Sequence, residues 1–123
     1  MLLKPDSCRG CPLREPPHGK SSGFSTPTGS GNNGVCIIGE SLGKDEELEG
    51  IAFVGKSGHT LFQQLKRVDI ERDDFTIFNV IACRPPDNKL VGMSWAQHAI
   101  DHCRPNLDKA IQDAKVVAKA NGK

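Results

Sequence analysis

At 123 residues the chain has room for one domain and not for two. Hydrophobic residues make up 37% and charged residues 25%, a globular balance, and no run approaches the ~20 apolar residues of a membrane span. With 16 basic and 15 acidic residues the net charge is +1, so a nucleic-acid face would have to come from arrangement rather than excess.

The opening MLLKPDSCRG lacks the basic-then-apolar build of a secretory signal, and a cytoplasmic location is the expectation. Cys8-Arg9-Gly10-Cys11-Pro12 is a tight two-cysteine turn, and residues 15–34, rich in Gly, Ser, Pro, Thr and Asn, read as a long surface loop. Val35–Gly39 is a short apolar run of the kind that forms a strand buried on both faces of a parallel sheet. Cys36, in its middle, reads as a small buried hydrophobe. Lys44–Glu49 can form a short helical turn, broken by Gly50, and residues 51–58 form a second loop. The apolar face of Leu61, Phe62, Leu65 and Val68 predicts a helix. Phe75–Ala82, β-branched and aromatic, predicts a second strand, stopped by Pro85 and Pro86. Beyond it, Ser94 could cap a helix running to about Cys103, and Pro105 could open another.

Strand, helix, strand, helix is the order of an open α/β fold. The expected architecture is a three-layer α/β/α sandwich around a central parallel sheet. Two strands make a poor sheet, and the chain ends where a third should begin, so the single domain over residues 1–123 is expected to be incomplete at its C-terminus.

Five cysteines in a reducing compartment point away from a disulfide framework and toward metal ligation. Cys8 and Cys11 have the spacing that aims two thiolates at one site, while Cys83 and Cys103 stand alone. A zinc ribbon would offer a second close pair, and one pair plus two distant singles suits the larger [4Fe–4S] cube. A cluster, a zinc ion and no metal at all remain open on spacing alone.

CRGCPL at 8–13, GESLGKDEELEGIAFVGKSGHTLF at 39–62, NVIACRPPDNK at 79–89 and Cys103-Arg104-Pro105 resemble, in order, the motifs of the iron–sulfur, family 4 uracil-DNA glycosylases and the related phage DNA-polymerase-related proteins. The resemblance runs from residue 8 to about residue 111. It implies excision of uracil from DNA by hydrolysis of the N-glycosidic bond after base flipping, with uracil-containing DNA as partner, no nucleotide cofactor and a monomer when complete. It implies that Cys8, Cys11, Cys83 and Cys103 hold a [4Fe–4S] cluster. Gly39 and Glu40 match the loop that lines the uracil pocket, and Glu46 a second acidic site residue. Phe53 matches the aromatic that stacks on the base, Asn79 the amide that reads its edge, and Asn88 a polar position near the DNA.

The chemistry of these residue types agrees. An extruded base costs a few kcal/mol of lost stacking, which an aromatic face partly restores. An amide both donates and accepts, and a carboxylate beside the sugar can stabilise an oxocarbenium-like centre and orient water. Taken singly, each residue has an ordinary reading: Glu40 as a helix-start cap, Phe53 as core, Asn79 as a structural hydrogen-bonder.

Two departures stand out. Ser41-Leu42 and Ala52 replace the family's usual Ala-Pro and Pro, and none of His18, His59, His98 and His102 lies in the His-Pro-Ser context that supports the departing uracil anion. Weak or absent activity of these 123 residues alone is therefore expected. Two rival readings are a non-catalytic cluster- or zinc-binding interaction module and a nucleotide-binding P-loop at Gly50–Ser57. The latter fits G-x4-G-K-[ST] by letter but begins eleven residues after the preceding strand ends.

Overall fold

The computed structural model of the chain describes residues 5–14 and 24–123. His18 and residues 15–23 of the 15–34 loop expected from sequence lie outside the described residues. Two strands, β1 (Cys36–Gly39) and β2 (Thr76–Asn79), pair in parallel, with Ile37 opposite Ile77 and Gly39 opposite Asn79. Between them lie helices α1 (Lys44–Glu49) and α2 (Lys56–Lys66), and the long helix α3 (Ala96–Ala120) follows β2. The parallel α/β organisation is as expected.

Both strands are shorter than their apolar runs. Beyond Asn79 the chain leaves the ladder but stays tied to it: the Val80 N–H donates to the Gly39 carbonyl (2.8 Å) and the Ile81 N–H to that of Glu40 (3.0 Å). On the far edge of β2 the chain returns antiparallel, with Thr28 and Ile77 exchanging both backbone hydrogen bonds. β2 is thus flanked on both sides at Ile77, which is fully buried.

β1 is not buried on both faces, because Ile38 is 45% exposed. Partners in a parallel register share a face, so Ile38 points the same way as Phe78. α3 packs against β2, while Ile38 is the exposed residue of β1. The opposite face carries Ile37 and Ile77 into a core with Ala52, Phe62, Leu65, Ile70 and Phe75 beneath α2. A second core joins Cys11, Leu13, Ile81, Cys83, Leu90 and Ala99.

The two helices expected on either side of Pro105 are one. α3 runs through the proline, and its first turn has no side-chain cap, with Trp95 rather than Ser94 at the N-cap. An internal proline deletes a backbone hydrogen bond and costs ~3 kcal/mol. Here Ala99 and Cys103 before it and Ala110 after it are all buried. Packing on both sides of Pro105 outweighs that cost and keeps the two halves one helix. The expected break at Gly50 does occur: it closes α1 in the left-handed region at φ 74°, where glycine is unstrained.

Ile77→Ala is expected to lower unfolding stability by about 2–5 kcal/mol, while Val68→Ala, at a position 64% exposed, changes it by less than about 0.5 kcal/mol. Urea titrations of the two variants check the contrast.

Candidate active site and cysteine cavity

The strand ends create the first site. Gly39 and Asn79 are register partners at the carboxyl ends of β1 and β2, where open parallel sheets place ligands. Together with Glu40, Ser41, Gly43, Glu46, Phe53, Ser57 and Gly58 they line a cavity of about 260 Å³. Five residues singled out from the sequence therefore share one hollow: Gly39, Glu40, Glu46, Phe53 and Asn79. Asn88 is not among its walls. It sits in a short 3₁₀ turn with its side chain accepting from Arg84 Nε at 2.6 Å.

Gly39 is required for space. A Cβ there would lie 2.9 Å from Phe53 Cζ and closer still to Asn79 Oδ1. The absent side chain lets ring and amide meet over the strand end. Asn79 is 8% exposed, and its buried Nδ2 has no hydrogen-bond partner among the described residues. Leaving a buried donor unsatisfied costs ~1–3 kcal/mol, so this amide is a group awaiting an acceptor. Glu40 stands exposed just past β1.

Phe53 sits at φ 57°, a left-handed backbone that bulky residues rarely adopt. Three features hold it there. Gly58 lacks a Cβ, which would lie 2.7 Å from Phe53 Cα, so the turn can rest on the first turn of α2. Glu46 accepts from the N–H groups of Gly43 (3.2 Å), Val54 (3.0 Å) and Gly55 with its two carboxylate oxygens. Arg72 donates to the carbonyls of Ala52 and Phe53 (the latter at 2.6 Å). Burial pushes the Arg72 guanidinium below its ordinary pKa, and Glu49 and Glu46 oppose that shift. The sequence gives no signal for Arg72, whereas the glycine just inside α2 is a clue to Gly58's close approach.

The Gly50–Ser57 pattern does not have phosphate-loop geometry. Its first glycine ends α1, and the Val54 and Gly55 N–H groups are already taken by the Glu46 carboxylate.

A second cavity, about 60 Å³, is walled by Cys8, Cys11, Cys83 and Cys103 with Leu13, Phe24, Ile81 and His102. Local folding explains the convergence. The Cys11 N–H donates to the Cys8 carbonyl (3.0 Å), closing the turn. His102 Nε2 lies 2.8 Å from the Ser7 carbonyl, tying that turn to α3. Cys103 Sγ accepts from the Ala82 N–H (3.4 Å) and from Asn106 Nδ2 (3.5 Å). The sulfurs border a hollow rather than meet at a point. Among the described residues no group of three or more His, Cys, Asp or Glu side chains is placed to hold a single metal ion. Cys36 lies apart on β1, half-buried, and burial raises its thiol pKa.

Among the described residues no helix is long and apolar enough to cross a membrane. The profile of the uracil DNA glycosylase superfamily matches residues 26–123. The type-4 uracil-DNA glycosylase of Archaeoglobus fulgidus is 36% identical over 83 residues, 68% of this chain and 40% of that protein. Its namesake in Pyrobaculum aerophilum is 33% identical over 105 residues, 85% of this chain and 50% of that protein. That of Sulfurisphaera tokodaii is 38% identical over 78 residues, 63% and 34%. The chain thus spans half or less of the length of these relatives.

Gly39→Ala is expected to displace the Phe53 ring and lower stability by about 1–3 kcal/mol, measured by denaturant unfolding. Because its pKa is raised, Cys36 holds less thiolate than an ordinary cysteine at any pH below that raised value. Its alkylation in the folded chain, followed by peptide mass spectrometry, should be slower than in the unfolded chain, with the pH–rate midpoint displaced upward.

Proposed function

The chain belongs to the uracil DNA glycosylase superfamily, and from that premise we propose that its strand-end cavity receives a uracil flipped out of DNA and promotes hydrolysis of the N-glycosidic bond. The observation that carries this reading is the buried, unpartnered Asn79 Nδ2 in the same hollow as the Phe53 ring. An extruded base offers both things the hollow lacks: a carbonyl oxygen for the amide donor and a flat face for the ring. The Asn79 carbonyl can accept the base's own N–H, so one amide reads two adjacent atoms of the uracil edge.

Glu40, exposed at the rim, is the carboxylate available to the sugar. It orients the attacking water and stabilises positive charge developing on the deoxyribose ring. Glu46 has the other acidic role. Its oxygens accept three backbone N–H groups, so it fixes the turn that carries Phe53. Asn88, away from the cavity and bonded to Arg84, is proposed to contact the DNA flanking the flipped base.

The four-cysteine cavity fits a [4Fe–4S] cluster better than a single zinc ion. Its thiols surround a hollow with mostly apolar walls, and Cys103 Sγ already accepts two N–H donors of the kind that stabilise cluster-bound thiolate. Cys8, Cys11, Cys83 and Cys103 would hold it. When bound, such a cluster supplies a rigid multi-thiolate anchor with redox capability. The chain's own contribution is to pin the N-terminal turn against the loop after β2 and the first third of α3, with Asn79 four residues before Cys83.

Anaerobically purified protein is expected to be brown, with broad absorption near ~400 nm that Cys83→Ser abolishes. A colourless, zinc-loaded protein would favour the interaction-module reading. Base recognition is tested with oligonucleotides carrying one 2′-fluoro-2′-deoxyuridine, whose fluorine disfavours the oxocarbenium centre and blocks cleavage, or thymidine in its place. The chain should bind the uracil strand more tightly. Phe53→Ala should cost roughly 5- to 150-fold of that preference, the range of one base–aromatic stack. Equal binding of the two strands by the wild-type chain would remove the proposal.

A further inference from the structure

Phe53 can serve as a stacking platform only if its turn keeps a backbone conformation that its own side chain disfavours. Gly58 makes room for that conformation and Glu46 holds the N–H groups that follow it. Gly58 packs against the Phe53 carbonyl but has no side chain with which to bind it, and Glu46 accepts only N–H groups. The two carbonyls at the centre of the turn, Ala52 and Phe53, are held by a single side chain from a distant segment, with one terminal nitrogen of Arg72 on each oxygen.

Arg72 is itself fixed. Its guanidinium lies over the Phe62 ring of α2, 4.7 Å from the centroid. Its backbone begins the 3₁₀ turn Arg72–Asp74, which leads directly into β2. β2 ends at Asn79. One arginine therefore ties the segment that carries the edge-reading amide to the turn that carries the stacking ring.

Resting on the base-recognition reading above, we propose that Arg72 is a positioning residue for the base: it sets where the Phe53 ring stands relative to the Asn79 amide. It does not line the cavity and touches no base. The role requires a planar fork, because two carbonyl oxygens on successive residues are met by two nitrogens held in one plane. A lysine ammonium keeps the charge but cannot reproduce that geometry.

The test measures binding by the full chain to the 2′-fluoro-deoxyuridine and thymidine oligonucleotides. If the wild-type chain shows no preference, base recognition itself fails, independently of Arg72. If it shows one, Arg72→Met should reduce the preference about tenfold while thymidine-strand affinity stays within about twofold. Arg72→Lys should fall between the two, and it keeps the test decisive if Arg72→Met does not fold. In Phe53→Ala, where Asn79 still supplies some preference, adding Arg72→Met should cost nothing more, because the arginine acts through the missing ring. Full preference in a folded Arg72→Met protein would overturn the proposal, as would Arg72→Lys matching wild type. So would losses that multiply in the double variant, since a general loss of stability would add to the loss of the ring.

Discussion

Two parallel strands end side by side with a glycine on one and an asparagine on the other, and the space left by the missing Cβ is what the site is built around. Gly39 and Asn79 are register partners. In a parallel pair such partners point to the same side, so a side chain at position 39 would fill the hollow that the amide faces. Glycine leaves that hollow open to the Phe53 ring. The cost is an amide donor buried without a partner, which a packed hydrophobic core would not keep. The same unsatisfied group is what gives the cavity an affinity for a polar ring edge.

The turn over this space is held by ionised side chains rather than by hydrophobic packing alone. Glu46 takes its N–H groups and Arg72 its carbonyls, so one short strained segment lies between an anion and a cation from different parts of the chain. Charge-assisted hydrogen bonds are roughly twice as strong as neutral ones and directional. They suit a turn that must hold one aromatic ring at a fixed height above a strand end. The arrangement also separates the two carboxylates: Glu46 is occupied with backbone, and Glu40 is left at the rim.

The cysteine cavity and the base cavity meet through the segment after β2. Asn79 ends the strand, Ile81 and Ala82 lead out of it, and Cys83 follows in the wall of the second cavity. Whatever pins Cys83 thereby limits the movement of Asn79. The α3 segment behind them is continuous through Pro105 and contributes both Cys103 and the Asn106 donor to its sulfur. A proline inside a helix frees the carbonyl one turn earlier, and the packing of Ala99 and Ala110 on either side keeps the helix whole.

Much of this was legible in the residues. The apolar runs Val35–Gly39 and Phe75–Ala82 marked two parallel strands, Gly50 marked the end of α1, and ordered motifs picked out Glu40, Glu46, Phe53, Asn79 and the four cysteines. The strand runs and the glycine break are properties of local composition and spacing, which a sequence records directly, whereas the site residues came from the resemblance to family motifs. Other features belong to the tertiary structure alone. The left-handed backbone of Phe53, the grip of Arg72 on its carbonyls, the commitment of Glu46 to three N–H groups and the passage of α3 through Pro105 depend on groups far apart in the chain or on packing from two sides. Residue type fixes what a group can donate, accept or stack upon. Only the fold decides which partner it meets, because hydrogen bonds act over about 3 Å and no spacing along the chain encodes that distance.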